Sequence, residues 1–312
     1  MAAGIPLSEA IEEFLSWQEL DRHRSPGTIR EYRRDLDGFA AFAGGDQGVP
    51  DVAGIDRDLL RAYQRHLSGL TVQHRRGTAR PLAVATRTRR LVSLRSFLRF
   101  AAREEWLPGD LGTTIDLPHL PERLPKPLEA DARDLLLQAL PAGTVAERRD
   151  RALLAFLLST GCRISEALAL DRADWRRDRV TVRGKGDRER VVMVTDRARR
   201  AMRAYLAARG EDPSPALFVS FQPASKGTPD NRLTANGARH ICRQVARELA
   251  ISPFHPHQLR HTLGTLLQET VGDARLTAET LGHRGLGSVA GYTKITDRQR
   301  RAAYDAMEGR GL

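Results

Sequence analysis

Tyr292 stands nine residues after His283, which closes the stretch Leu281-Gly282-His283. Before it along the chain come His257-Gln258-Leu259-Arg260, Lys185 between two glycines, and Arg163 within Thr160-Gly161-Cys162-Arg163-Ile164-Ser165-Glu166. These side chains form a full set for attack on a phosphodiester: one nucleophile, two guanidinium clamps, one proton donor and two imidazoles. A phenol has an ordinary pKa of about 10, so Tyr292 needs neighbouring cations to become a nucleophile at neutral pH. Arg163 and Arg260 suit the two non-bridging phosphate oxygens, because guanidinium is always charged and presents a planar fork. Arg163 falls where an apolar helical pattern breaks at Gly161, and Glu166, three residues on, is the expected partner that holds it. The plain alternative is a simple Arg163–Glu166 ion pair.

Lys185 is informative because the chain uses four lysines against 46 arginines. At a turn, arginine could supply charge alone. A leaving 5′-oxygen needs a proton, which lysine can give and arginine cannot. His257 and Arg260 share one face at the start of a helix that Pro256 opens. His255, His257, His261 and His283 could suggest zinc, but no HExxH pattern, cysteine pair or nearby carboxylate accompanies them. No metal is expected.

These residues need a scaffold, and the chain reads as two domains. Helices are expected at 8–23, from a Thr28 cap until Gly44-Gly45, at 56–67, and at 83–105, the last with Arg87, Arg89, Arg90, Arg95 and Arg99 outside. They make an N-terminal helical bundle over residues 1–117. Four prolines within residues 118–127 mark a semi-rigid linker. The remainder, 128–312, is expected to be α+β. Its helices fall near 129–140, 148–159, 165–170, 196–208, 234–249, 258–270 and 277–281, with a short amphipathic tail helix at 297–307. Strands at 179–183 and 190–194 form a β-hairpin around residues 184–187. The fold class is thus mainly α with a small β-hairpin.

The net charge is +11, with 50 Lys and Arg against 39 Asp and Glu. Residues 1–120 contribute 17 basic against 16 acidic side chains, and 121–312 contribute 33 against 23. A polyanion is the natural partner of such a surplus. Cys162 and Cys242 lack metal-ligand spacing and read as reduced core thiols. No signal peptide is expected, and the longest apolar run, 152–158, is too short to cross a membrane. A soluble, cytoplasmic, nucleoid-associated protein with no membrane partner is expected.

In residue types, order and local spacing, the set resembles the tyrosine recombinases, the family of phage integrases and Xer-type recombinases. The matching stretches are 160–170, 184–190, 256–262 and 281–292. Residues 1–117 resemble the family's core-binding domain, and 128–312 its catalytic domain. The resemblance implies Arg163, Lys185, His257, Arg260, His283 and Tyr292 as the active site. It implies a 3′-phosphotyrosyl intermediate, a free 5′-hydroxyl, and no metal or nucleotide cofactor. Its expected partner is double-stranded DNA with specific recombination sites. A homo-tetramer, or an assembly with a paralogous recombinase, would form on synapsed DNA, with the tail helix docked on a neighbour. Ser288-Val289-Ala290-Gly291 departs from the family, which often has a threonine pair and a larger residue there. A type IB topoisomerase-like relaxing enzyme and an inactive DNA-binding protein are the alternatives. Base-reading side chains are expected around 87–99 and 239–247.

Overall fold

The computed structural model describes residues 4–73, 77–120, 126–176, 178–184, 189–221 and 230–282. Lys185, His283, Tyr292, the hairpin tip and the expected tail helix lie outside the described residues. The chain divides into two compact units, Met1–Glu122 and Arg123–Leu312.

In the first unit, α1 (Leu7–Leu20), α2 (Pro26–Ala41), α3 (Arg57–Gly69) and α4 (Val84–Arg103) surround one apolar core. Phe14 sits at its centre, edge-on to Tyr32 at 5.3 Å, Phe97 at 5.8 Å and Phe100 at 5.5 Å. Two expectations shift. Ser25, not Thr28, caps α2, accepting a hydrogen bond from the Thr28 backbone N–H. The helix also does not stop at Gly44-Gly45 but continues as one π-helical turn, Phe42–Asp46, because Phe42 and Ala43 still bury apolar surface. A small antiparallel pair, β1 (Thr71–Gln73) and β2 (Ala79–Pro81), was not expected; all six of its residues are exposed.

Arg89 is not simply outside on α4. Its Nη1 lies 2.5 Å from the Oδ2 of Asp35 on α2, whose side chain is fully buried, and 2.7 Å from Glu31. Ser93 donates to the same Asp35 oxygen at 2.8 Å. This polar bridge fixes the rotation of α4 against α2.

In the second unit, α6 (Val145–Thr160) is apolar nearly all round and buried, packing against α8 (Asp196–Arg209) and α10 (Pro256–Val271). Thr144 and Glu147 form a reciprocal capping box at its start. Gly161, at φ +61°, closes it. α5 (Ala130–Gln138), α7 (Ile164–Ala169), α9 (Ala235–Glu248) and α11 (Ala274–Leu281) complete the helices described. β3 (Arg179–Arg183) pairs antiparallel with β4 (Glu189–Met193), with Val180 opposite Val192 and Val182 opposite Arg190. Among the described residues, no helix is long and apolar enough to cross a membrane.

Replacing Asp35 with alanine should strand Ser93 and release Arg89. Because Arg89 is one-third exposed, it can rehydrate, so we expect a loss of about 1–3 kcal/mol rather than the full cost of a broken buried ion pair. Denaturant unfolding measures it, and an unchanged midpoint would refute the role assigned to Asp35.

Candidate active site

The site is built on two helix ends that face each other. α6 ends at Gly161, whose left-handed backbone turns the chain so that Cys162 is buried and Arg163 becomes the residue before α7. α11 ends at Leu281, followed by Gly282 at φ +64°. A β carbon at Gly161 would lie 2.6 Å from Leu281 Cδ2 and 2.9 Å from Leu263 Cδ2, and the φ of +61° already favours glycine there.

Arg260, in the second turn of α10, joins these ends. It is 2% exposed. Its Nη1 donates to the Gly161 carbonyl at 2.7 Å, and its Nη2 to the Leu281 carbonyl at 2.5 Å. The turn that leads to Arg163 and the turn that leads to His283 are therefore spanned by one guanidinium.

Arg163 is held as its sequence neighbourhood suggested. The Glu166 carboxylate accepts from the Arg163 backbone N–H at 2.9 Å and from its Nη1 at 2.7 Å. The ion pair considered as the plain alternative is thus present, yet the Arg163 side chain remains 40% exposed. The pair orients a guanidinium that is still open to solvent. Burial pushes the Glu166 pKa up, but hydrogen bonds from Arg190, the Arg163 backbone and the Arg163 side chain outweigh it, and the net shift is downward.

His257 lies in the first turn of α10. His255 caps that helix, its Nδ1 accepting from Gln258 N–H at 3.2 Å, with Pro256 following. Partial desolvation lowers the His257 pKa, and the positive charge of Arg260, then His255 and Arg163, lowers it further. Arg163, His257 and Arg260 thus share one electrostatic neighbourhood, in which His257 is neutral at pH 7 and able to accept a proton. Its ring meets His261 edge-on at 4.3 Å. Among the described residues, no cluster of three or more His, Cys, Asp or Glu could hold a metal ion.

One residue at this site escaped the sequence reading. Arg190 on β4 donates to Glu166 at 2.8 Å. Strand parity could have found it, since Arg190, Val192 and Val194 share one face and the two valines are buried. A charge in an inward register position needs a partner.

Comparison with known proteins gives the class. Residues 126–299 match the phage integrase family, and residues 11–105 match the N-terminal SAM-like domain of phage integrases. A tyrosine recombinase XerC of Myxococcus xanthus is 34% identical over 315 residues, covering 97% of this chain and 99% of the relative. A tyrosine recombinase XerC of Rhodospirillum centenum is 34% identical over 331 residues, covering 99% and 92%. Among solved structures, the XerH site-specific recombinase bound to palindromic difH substrate aligns with a TM-score of 0.74 at 18% identity, covering 99% of this chain and 98% of that one. A lambda integrase dimer bound to a COC′ core site aligns at 0.67 and 15% identity, covering 95% and 79%. At these identities the two structures speak for the fold alone. The chain belongs to the phage integrase family, the tyrosine recombinases. It is a tyrosine recombinase by sequence.

The lowered pKa of Glu166 sets a pH dependence. Its folded value lies below the ordinary 4.5, so its stabilising contribution is complete above that value and is lost as pH falls through the folded one. Glu166→Gln should therefore flatten the acid limb of stability below about pH 4.5. Melting temperatures across pH 3–6 test this; parallel acid limbs for both proteins would refute it.

Proposed function

We propose that this recombinase cuts and rejoins double-stranded DNA at specific sites through a 3′-phosphotyrosyl intermediate, with Arg163, Lys185, His257, Arg260, His283 and Tyr292 as its active site. The observation that carries the proposal is the Arg260 bridge. Arg163 follows one bridged carbonyl by two residues, and His283 follows the other by two. The bridged carbonyls of Gly161 and Leu281, 99 and 21 positions from Arg260, thereby give the two segments a common origin.

In this mechanism Arg163 and Arg260 place positive charge beside the phosphate, and His257 and His283 supply imidazoles for proton handling. The Tyr292 phenolate oxygen attacks phosphorus. The bond to the 5′-oxygen breaks, Lys185 gives that oxygen a proton, and the 3′-phosphate remains on Tyr292. Attack by a 5′-hydroxyl reverses the step on a new partner strand, so no net energy source is needed.

The exposed arginines Arg239, Arg243 and Arg247 on α9 support a duplex-facing surface on the second unit. We assign residues 1–117 to core-site binding, 118–127 to the linker, and 128–312 to catalysis. A homo-tetramer on two synapsed sites, or one completed by a paralogous recombinase, would exchange the 297–307 segment between neighbours. A cytoplasmic, nucleoid-associated location follows from a DNA substrate.

Tyr292→Phe should bind a half-site normally and form no covalent adduct on a nicked suicide substrate. Adduct surviving in that variant would move the nucleophile to Tyr205 or Tyr304. Tyr205 is fully buried and hydrogen-bonded to Val219 N–H at 3.4 Å, so it is a poor substitute.

Lys185→Ala should slow cleavage by about 10²–10⁴, the usual loss for a general acid. Replacing the bridging 5′-oxygen with sulfur provides a leaving group that needs no acid and should restore most of the rate. Absence of rescue would make Lys185 a phosphate-positioning group instead.

A further inference from the structure

β4 carries a charge where the register of its hairpin calls for an apolar side chain. Arg190 lies opposite the buried Val182, and Val192, two residues on, is also buried. Arg190 itself is only 15% exposed. One end of it donates from Nη2 to Glu166, the carboxylate that orients Arg163. Its length runs along the turn that closes α11. A β carbon built on Gly282 would come within 3.0 Å of Arg190 Cδ, Nε and Nη1, and the φ of +64° already favours glycine there.

Arg190 therefore touches both halves of the site. An apolar residue of the same size would fill the space but leave Glu166, among the described residues, with Arg163 as its charged partner. Burial would then raise the Glu166 pKa, weakening the acceptor that holds Arg163. Two guanidiniums on one carboxylate also leave a positive excess, which an incoming phosphate can neutralise.

We propose that Arg190 is a positioning residue for strand cleavage. Through Glu166 it fixes the Arg163 guanidinium, and by packing on Gly282 it fixes the backbone immediately before His283. This rests on the assignment of Arg163 and Tyr292 to the reaction made above.

The test compares Arg190→Met and Arg190→Lys with the wild type in full-length protein, using the covalent adduct on a nicked suicide substrate at saturating enzyme. Arg190→Met should lower the adduct rate by about 10–100-fold, the scale of a small misplacement of reacting groups. Half-site affinity should change by less than about threefold, since the loss lies in the transition state. A bridging 5′-sulfur should not restore the rate, in contrast to Lys185→Ala, because protonation is not what is missing. In the Glu166→Gln background, Arg190→Met should cost less than the product of the two single losses, because the route through Glu166 is shared and only the packing on Gly282 remains to be lost. Arg190→Lys keeps a cation beside Glu166 and should recover part of the rate. If the methionine variant melts before assay, a lysine variant at least about threefold slower than wild type, with unchanged affinity and no sulfur rescue, serves in its place. Wild-type rate in Arg190→Met, rescue by sulfur, or full multiplication with Glu166→Gln would overturn the proposal. Failure of wild-type protein to form adduct, or adduct in Tyr292→Phe, would instead fault the assignment on which it rests.

Discussion

A guanidinium does not lose its proton inside a protein, so burying one obliges the fold to surround it with acceptors. Arg260 meets that demand at the ends of two helices. Gly161 caps α6 and Leu281 is the last residue of α11, so both carbonyls lie where a helix has run out of internal donors. The same ends carry the negative poles of the helix dipoles, which further favour a cation between them. The arrangement is mutual: the helices supply acceptors for Arg260, and Arg260 holds their ends at a fixed separation. Gly161 and Gly282 are needed because each helix must turn sharply just where the two approach. Removing Arg260 would therefore strip the partner from two carbonyls and loosen the origins of both functional segments together.

Around this staple the charges are arranged unequally. Among the described residues, Glu166 is the acidic group bonded to both Arg163 and Arg190, and its depressed pKa keeps it ionised throughout the physiological range. A single carboxylate can offset one of the two guanidiniums. Arg190 is the more enclosed, whereas Arg163 reaches solvent. The uncompensated charge is therefore presented on the accessible side, where an anion can meet it without the protein desolvating another acid. His257, kept neutral by the same surroundings, does not add to the repulsion before substrate arrives.

The local geometry was legible wherever spacing carried it. Glu166 at the third position from Arg163, Pro256 opening α10, and the alternating valines of β3 and β4 each state their geometry within a few residues. Helix positions followed from apolar periodicity for the same reason. The features that were missed depend on partners distant in the chain. Arg190 meets Glu166 across 24 positions, and Arg89 meets Asp35 across 54. Arg89 sits on an arginine-rich helix that periodicity alone assigned to solvent, and only the buried carboxylate on α2 shows that this arginine serves the bundle. The π-helical turn past Gly44-Gly45 was missed because two glycines argue locally for a stop, while Phe42 and Ala43 are held by the core.

The arginine count divides in a way that composition could not show. Arg149 donates to the Val219 carbonyl, and Arg209 to the carbonyls of Ser214, Ala216 and Leu217. Arg232 donates to the carbonyls of Leu168 and Leu170, at and just beyond the end of α7. These three side chains act as internal staples that satisfy loop and helix-end carbonyls. Their charges enter the net +11 but are aimed inward and release no counterions from a bound polyanion. The contacts available to DNA come instead from exposed side chains, such as Arg197, Arg200 and Arg203 on α8 and Arg239, Arg243 and Arg247 on α9. A basic composition therefore marks two separate uses of one side chain. The fork that grips a phosphate is the same fork that ties down backbone carbonyls.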